Sequence, residues 1–391
     1  MNRTGDGACS RRGFLERFTL SAASGLTLSA SASQAESDGA SERVDLIRPP
    51  VLRLGDLIAL VSPGNAIGSN HKSKTLDTAV AALEKDGYRV KVMPHARARS
   101  KDGRAGTLEQ RVSDLNLAFA DPAVRLIMGT VGGGGTLDVV RSEKLNWHAI
   151  RQCPKLICGF SDLSFLTVAA HVRLGLVTLD GPLAVFHWGS LPRPPAYATL
   201  SFVRVAAGSD VPFAQRSAES ISLDPFEFSG QKDRDQRLRP AQKWKWLQEG
   251  QVQGRLLAIR ADQLLDIVKA GIDVSLKGRI WCVDPILAKA AERVAMLRVR
   301  DKGLLEGIVG IVVGRPFAFG NQPVTSQKDA EAIIREMTGD LRIPILINVD
   351  CGHTIPRMTI PNGVLATLDS HRNMFRFDES AVQPSDERKQ N

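Results

Sequence analysis

Short apolar runs alternate with amphipathic stretches over residues 51–188. The apolar runs are typical of buried strands and lie at residues 57–61, 88–93, 126–128 and 156–158. The amphipathic stretches have the apolar period of helices and lie at residues 74–86, 108–120 and 164–174. Strands that are apolar throughout and alternate with helices predict an α/β fold with a doubly wound parallel sheet. Ligands of such sheets bind at the carboxyl ends of the strands.

A second periodic region extends from residue 252 to residue 377, with apolar strands at residues 278–283, 307–313 and 345–349. The residues between the two regions are rich in proline and charge and show no strand pattern. We therefore expect a domain at 51–188, a strandless connection at 189–251, a second domain at 252–377 and a disordered tail at 378–391.

The N-terminus has the pattern of an export signal. Arg11 and Arg12 precede a mildly apolar stretch at residues 18–28, and small residues follow and end at Ala35. This pattern predicts a twin-arginine signal peptide over residues 1–35, which the twin-arginine export machinery would recognise and whose removal would give a periplasmic protein. The alternative is a disordered basic tail in which the two arginines occur by chance.

Composition argues against two classes of protein. No apolar run reaches the roughly 18 to 20 residues that span a bilayer, so we expect no stable membrane insertion. The net charge of +9 is spread along the chain, and aromatic residues are 5% of the total. Nucleic acid is therefore not an expected partner.

The cysteines follow no metal-binding or disulfide pattern. Cys9 lies in the predicted signal, and the other four, Cys153, Cys158, Cys282 and Cys351, form no CxxC pair. We expect these four to be small buried apolar side chains, with a metal site or a disulfide as the alternative. Neither a metal nor a cofactor is expected.

Ser161 lies between a predicted strand and a predicted helix, within Gly159-Phe160-Ser161-Asp162. A serine on such a sharp turn exposes its hydroxyl above the sheet, as in a nucleophile elbow. Leu163 stands where the usual G-x-S-x-G pattern has its second glycine. The alternative is an N-cap serine followed by Asp162 in the first turn of the helix.

A run of four glycines at 132–135, the glycine turn, follows the strand at 126–128. Glycines let backbone N–H groups approach a ligand closely, either as a phosphate cradle or as an oxyanion hole. Neither G-K-[ST] nor GxGxxG is completed, which disfavours nucleotide binding. A flexible turn is the remaining alternative.

Two further residues could complete a hydrolytic site with Ser161. His353 follows the apolar strand at 345–349, and Asp284 ends the strand at 278–283. The chain order serine, acid, histidine is one of those in which catalytic triads occur. The alternatives are a structural histidine at 353 and, at Asp284, a helix N-cap before Pro285.

Several segments, taken in order, resemble the LD-carboxypeptidase family of serine peptidases, which includes muropeptide carboxypeptidases and microcin-immunity peptidases. The resemblance covers residues 51–185 and 254–377. Its landmarks are the stretch 54–63, Gln110-Arg111, Ala118-Phe119-Ala120-Asp121-Pro122, the glycine turn, the stretch 154–162, Asp180-Gly181-Pro182, Cys351-Gly352-His353-Thr354-Ile355-Pro356 and Thr359-Ile360-Pro361-Asn362-Gly363. Each landmark is short, and the resemblance depends on their order and spacing.

The resemblance implies an N-terminal Rossmann-like domain that carries the nucleophile, and a smaller C-terminal mixed α/β swivelling domain that carries the acid and the histidine. It assigns Ser161 as nucleophile and His353 as base. It maps the oxyanion hole onto backbone N–H groups of Asp162 and of Gly132 or Gly133. It also implies cleavage of an L–D peptide bond, typically to release the terminal D-alanine of a cell-wall tetrapeptide, without a metal and often by a homodimer.

The chain departs from the family pattern at three places. Val131 and Gly134 stand where the glycine turn usually has arginine and tyrosine, which bears on substrate recognition. Ala258-Ile259-Arg260 stands where the family has Gly-Gly-Asn. The family acid is a glutamate followed by an aspartate, and these positions are Val283 and Asp284.

We expect Asp284 to replace the family glutamate and to orient His353, because Pro285 favours a turn that brings the carboxylate round. Glu292 is a more distant second candidate. The sequence therefore predicts an exported serine LD-carboxypeptidase acting on a muropeptide or another short peptide. The alternatives are a non-catalytic muropeptide-binding or sensing protein and a hydrolase of a toxic peptide-nucleotide.

Overall fold

A computed structural model gives the fold and describes residues 46–67, 72–190, 196–208, 210–222, 238–286, 290–317 and 324–383. The predicted signal peptide, residues 1–35, lies outside these residues. Within the described ranges, no helix has both the length and the apolar character needed to cross a membrane.

The first part of the chain forms a parallel sheet between helices. Its elements, in chain order, are β1 Leu57–Val61, α1 Lys72–Lys85, β2 Arg89–Val92, α2 Leu108–Ala120, β3 Val124–Gly129, α3 Thr136–Arg141, α4 Trp147–Gln152, β4 Leu156–Gly159, α5 Ser164–Leu174 and β5 Thr178–Asp180. The strand order β2-β1-β3-β4-β5 is that of a doubly wound sheet whose switch point lies between β1 and β3. The predicted parallel sheet is confirmed.

Local sequence signals set the boundaries of the helices around this sheet. Thr107 and Gln110 form a capping box at the start of α2. Gly175, with a φ of 70°, takes the left-handed conformation that ends α5. These signals account for the start of the helix predicted at 108–120 and for the end of the helix predicted at 164–174.

Residues 189–251 contain regular structure, which corrects the expectation of a strandless connection. The described elements around this segment are α6 Ala184–His187, α7 Ala196–Ala206, β6 Phe213–Ala214, β7 Ser220–Ser222, β8 Leu238–Pro240 and β9 Lys245–Gln248. Strands β6 and β9 form the two edges of a second sheet, and β7 pairs with β8. The longest of these strands has 4 residues, too few to show a period in a charged, proline-rich sequence.

The C-terminal part of the chain forms a mixed sheet. Its elements are β10 Gln251–Ala258, α8 Ala261–Lys269, β11 Arg279–Val283, α9 Ala290–Asp301, β12 Gly310–Gly314, α10 Gln327–Thr338, β13 Ile345–Val349, β14 Ile360–Asn362, β15 Leu365–Asp369 and β16 Met374–Phe377. The strand order is β6-β16-β15-β10-β11-β12-β13-β9, with the four strands from β10 to β13 parallel and the others antiparallel. The predicted mixed α/β architecture of this part is confirmed.

Strand β14 comes from the C-terminal part of the chain but lies in the first sheet. It pairs antiparallel with β5, so that Ile360 lies opposite Asp180 and Asn362 opposite Thr178. The first sheet therefore has six strands, and its last edge strand comes from the C-terminal part of the chain. The pairing of β14 with β5 therefore connects the two sheets beside the carboxyl end of β5.

The predicted disordered tail at 378–391 is wrong for residues 378–383. Ala381 and Val382 are buried, and the Glu379 carboxylate accepts hydrogen bonds from Arg48 at 2.7 Å and from Arg255 at 3.0 Å. The segment therefore packs against the body of the protein. Residues 384–391 lie outside the described part of the chain.

Candidate active site

Ser161 lies on a sharp turn between β4 and α5. The turn is a single 3-10 segment, Ser161–Leu163, and Ser161 has a φ of 61°. That left-handed conformation costs a non-glycine residue about 1–2 kcal/mol. At Gly159 the turn is so tight that a Cβ atom would lie 2.0 Å from Leu163 Cδ2. The chain thus forms the sharp strand–turn–helix elbow that the pattern predicted at this position. Phe160 is the N-cap of the 3-10 turn, so Ser161 is not.

The glycine turn brings backbone against the Ser161 side chain. A Cβ atom on Gly132 would lie 3.2 Å from Ser161 Cβ and 3.3 Å from Ser161 Oγ. Gly133 has a φ of 124°, and a Cβ atom there would lie 2.0 Å from the Asn65 amide nitrogen. The backbone at Gly132 therefore borders the Ser161 side chain directly, whereas Gly133 packs against Asn65.

Asp162 joins the elbow to the end of the glycine turn. Its buried carboxylate accepts hydrogen bonds from the Thr136 backbone N–H at 3.1 Å and from the Thr136 hydroxyl at 2.6 Å. Burial raises the pKa of Asp162, and the two bonds from Thr136 work against that rise. Both hydrogen bonds engage the Asp162 carboxylate within the protein. The group of Asp162 that a ligand could bind is therefore its backbone N–H.

Two arginines stabilise the glycine turn and its surroundings, and the sequence analysis assigned a role to neither. The Arg111 guanidinium donates to Pro63 O at 2.8 Å and to Gly135 O at 2.9 Å. Arg104 donates to Asn65 Oδ1 at 2.5 Å, and a Cβ atom on Gly134 would lie 2.9 Å from its guanidinium. Arg111 belongs to a landmark of the family resemblance, which was the available signal, while nothing near Arg104 indicated its position.

His353 faces Ser161 from the histidine loop, residues 350–359, which follows β13. Its Nε2 atom lies 3.1 Å from Ser161 Oγ. Its Nδ1 atom contacts the Asp284 carboxylate. The imidazole and the Phe160 ring form a T-shaped pair, with 5.0 Å between ring centroids. The structure therefore brings together the three residues that the sequence proposed as nucleophile, base and acid.

Asp284 directly follows β11, and the Ile286 N–H donates to the Asp284 backbone oxygen at 3.2 Å, so the chain turns at Pro285 as predicted. Pro285 and Ile286 are not helical, and Ile286 forms an isolated bridge with Phe317, so Asp284 is not the N-cap of a helix that begins at Pro285. The side chain of Glu292, the second candidate for the acid, lies outside the described residues. Asp284 is the carboxylate that the structure places against His353.

Burial sets the protonation of this pair. It lowers the pKa of His353, although the Asp284 carboxylate works in the opposite direction. Burial also raises the pKa of Asp284. The facing imidazole, together with Arg357 and Arg260, lowers it by more, so the Asp284 pKa lies below its usual value. At neutral pH the imidazole is therefore uncharged and can accept a proton from the Ser161 hydroxyl.

Arg357 connects the histidine loop to the first sheet. Its guanidinium donates to Gly352 O at 2.6 Å and contacts the Asp180 carboxylate at the end of β5. The same guanidinium lies over the Phe160 ring, 4.0 Å from the centroid. Burial raises the pKa of Asp180 to about 6, and Arg357 limits that rise. One side chain thus contacts the histidine loop, the neighbouring strand end and the residue before Ser161.

A second buried ion pair holds the start of the histidine loop. Arg315 contacts the Asp350 carboxylate, and both side chains are buried. Asp350 also accepts from the Ala218 backbone N–H at 3.1 Å. A buried charge without such partners would cost several kcal/mol, roughly 3–5 by analogy with broken buried pairs. The pairing therefore fixes the chain three residues before His353.

A cavity of about 600 Å³ opens above these groups, where β1, β3 and β4 end. Apolar and glycine backbone atoms form much of its wall, together with Ser161 and His353. Its charged lining residues are Arg260, Asp138, Asp162, Asp262 and Asp266. Its position at the switch point of the sheet is where doubly wound folds bind ligands.

Three of the four described cysteines lie in the core near this site. Cys158, Cys282 and Cys351 are buried, Cys153 is half-buried, and all four carry free thiols. Burial raises the pKa of the three buried thiols, so they stay protonated. Within the described residues, no group of three or more His, Cys, Asp or Glu side chains has an arrangement that could hold a metal ion.

Comparison with known proteins assigns the family. The profile of the LD-carboxypeptidase N-terminal domain matches residues 58–181, and that of the LD-carboxypeptidase C-terminal domain matches residues 253–368. The chain belongs to the LD-carboxypeptidase family. Membership in this family of murein carboxypeptidases and their relatives makes it a peptidase.

Individual relatives agree with the family assignment. The Bacillus subtilis protein named "Probable murein peptide carboxypeptidase" is 24% identical over 83% of this chain and 92% of its own length. The murein tetrapeptide carboxypeptidase of Pseudomonas aeruginosa is 34% identical over 32% of this chain and 39% of its own. The structure of the microcin C7 self-immunity protein MccF with aspartyl sulfamoyl adenosine is 21% identical, covers 86% of this chain and all of its own at a TM-score of 0.78, and so shares the fold of this LD-carboxypeptidase family member.

Replacing Asp284 by Asn should lower the pKa of His353 further. The carboxylate that stabilises the imidazolium would be lost while the burial of the ring stays. NMR of histidine ring protons during a pH titration should show the His353 midpoint at lower pH than in the parent. Asp114→Asn is the matched control, because Asp114 faces His95 Nδ1 at 2.8 Å. An unchanged or raised His353 midpoint in Asp284→Asn would contradict the proposed contact.

Proposed function

We propose that this protein is a serine LD-carboxypeptidase that removes the terminal D-amino acid from cell-wall tetrapeptides. The observation that carries the proposal is the contact of Ser161 Oγ with His353 Nε2 at 3.1 Å, with Asp284 on the other ring nitrogen. A hydroxyl, a neutral imidazole and a carboxylate in this order are the parts of a serine hydrolase site. The murein carboxypeptidases among the relatives support the choice of substrate.

In the proposed reaction Ser161 Oγ attacks the carbonyl carbon of the scissile L–D peptide bond. His353 Nε2 takes the hydroxyl proton and then passes it to the leaving amine, so that D-alanine departs as the C–N bond breaks. Water, activated by the same imidazole, hydrolyses the acyl-enzyme. Asp284 holds His353 in the tautomer that leaves Nε2 free to accept a proton, and stabilises the imidazolium.

Backbone N–H groups would bind the negative oxygen of the tetrahedral intermediate. The donors we propose are Asp162 N–H, on the elbow, and an N–H of Gly132 or Gly133. The direct approach of Gly132 to Ser161 supports this, since any side chain at 132 would meet the nucleophile. One such donor contributes about 2.7–4 kcal/mol in comparable hydrolases.

The position of Arg260 supports the proposal that the substrate has a free carboxylate. It lies at the carboxyl end of β10, lines the cavity, and its positive charge influences both His353 and Asp284. Its guanidinium already donates to the Asp262 carboxylate at 2.9 and 2.7 Å. A carboxypeptidase must accept a terminal carboxylate next to the scissile bond, and Arg260 offers a cation at the cavity wall.

A peptide-nucleotide is the second candidate substrate. The microcin C7 self-immunity protein MccF of Escherichia coli is 24% identical over 81% of this chain, and MccF shares its fold. Val131, directly before the glycine turn, and Gly134 within it replace the usual family residues, which leaves this region open to a different ligand. Assaying both substrate classes in parallel separates the two.

We also propose that the chain is exported through the twin-arginine route and acts in the periplasm. The pair Arg11-Arg12 and the small residues up to Ala35 support this, as does a substrate located in the cell wall. A chain exported after folding would not depend on disulfides formed outside the cytoplasm. The four free thiols in the described part agree with that requirement.

Ser161→Ala should abolish turnover, by on the order of 10⁴-fold or more, because the nucleophile is removed. The fold and the binding of muropeptide should persist. The measurement is release of D-alanine from a defined tetrapeptide, with Ser164→Ala as control. Ser164 lies three residues further on, and its hydroxyl points to Asp180 at 3.4 Å instead of His353. Release of D-alanine by Ser161→Ala at near the parent rate would refute the mechanism.

Replacing Arg11 and Arg12 together by Lys should keep the precursor in the cytoplasm, since the twin-arginine machinery reads the pair itself. Cell fractionation with detection of the precursor and the shortened chain measures this. Arg3→Lys with Arg17→Lys is the control, because it makes the same change in the same segment outside the pair. Undiminished mature protein in the periplasm of the first variant would rule out this route.

A further inference from the structure

Gln263 reaches the catalytic serine from the other sheet. It lies on α8, and its side-chain Nε2 donates a hydrogen bond to the backbone oxygen of Ser161 at 2.8 Å. The residue is 7% exposed and also lines the cavity. A buried side chain from the C-terminal part of the chain therefore holds the backbone of the elbow at the nucleophile itself.

The bond acts on the peptide group that would form half of the oxyanion hole. The carbonyl of Ser161 and the N–H of Asp162 belong to one planar trans peptide, in which they point in opposite directions. A donor that fixes the Ser161 carbonyl therefore fixes the direction of the Asp162 N–H. Accepting a hydrogen bond at the carbonyl also polarises the peptide and strengthens its N–H as a donor.

Stability alone does not account for Gln263. Its Oε1 atom is buried and finds no hydrogen-bond partner among the described residues. Rotating the amide by half a turn would place Oε1 against the Ser161 carbonyl oxygen, so the observed orientation is the one that can bond. A buried unsatisfied acceptor destabilises the fold, and such costs concentrate where function requires them.

We propose that Gln263 is a positioning residue, which aims the Asp162 N–H at the oxyanion by holding the Ser161 carbonyl. The inference rests on the proposed serine hydrolysis and adds a residue to its machinery. It also gives the contact between α8 and the elbow a role in catalysis, because the N–H donor would be aligned only while the two parts of the chain are packed together.

The test replaces Gln263 by Met, which has nearly the same shape and lacks both amide groups. We expect kcat to fall about 10- to 100-fold with KM unchanged, since a misdirected oxyanion donor weakens binding of the transition state and not of the substrate. Phosphonylation of Ser161 by a serine-directed phosphonate should slow by a similar factor, because the adduct places its oxygen in the same hole.

Gln248→Met is the matched control. Gln248 lies on β9, and its Nε2 donates to the Leu341 backbone oxygen at 2.9 Å, far from the elbow in the second sheet. This variant should keep the parent kcat and phosphonylation rate. Thermal unfolding should show both variants to be folded at the assay temperature.

The outcomes separate the two proposals. If the parent protein turns over peptide and labels at Ser161 while Gln263→Met keeps a kcat within twofold of it, the positioning role is overturned and the proposed function stands. Equal loss of kcat in both glutamine variants would also overturn it, since the effect would then be a general loss of stability. If the parent protein neither turns over nor labels, the proposed function fails, and this inference fails with it.

Discussion

The contact of Arg357 with Asp180 is the interaction on which the site depends. Ser161 and His353 belong to different sheets, and neither sheet alone can set the distance between them. Arg357 lies four residues after His353, contacts the strand end beside β4 and covers the ring of Phe160, the neighbour of Ser161. Because both charges are buried, losing either partner would leave the other unpaired at high cost. The same ion pair thus fixes the position of His353 relative to Ser161.

The Ser161 side of the site is built from close backbone contacts. Ser161 adopts a left-handed conformation, Gly132 presses its backbone against the serine side chain, and Asp162 binds Thr136 at the end of the glycine turn. Each contact restricts the motion of a segment that, in the proposed reaction, presents N–H groups to the oxyanion. Gln263 completes this set from the second sheet. Preorganised donors of this kind need no rearrangement when charge develops, which is the basis of their effect on rate.

Local sequence patterns could predict the positions of Ser161 and Asp284. Contacts between residues that are distant in the chain could not be predicted from such patterns. Ser161 stood out because a strand, a glycine and a helix surround it, and Asp284 because Pro285 turns the chain at a strand end. Arg357 and Gln263 gave no such signal, since their partners lie more than 100 residues away. The short strands within 189–251 and the transfer of β14 to the first sheet were missed for the same reason. Their pairing is decided by tertiary packing and leaves no period in the sequence.

The central claim is that this site hydrolyses an L–D peptide bond with Ser161. The most direct measurement incubates the purified mature chain with two tetrapeptides that differ only in the configuration of the terminal alanine, and reads the products by mass. We expect loss of alanine from the D-terminated peptide, with the L-terminated peptide left intact. Binding of the D-terminated peptide without any product would contradict it, as would equal cleavage of both.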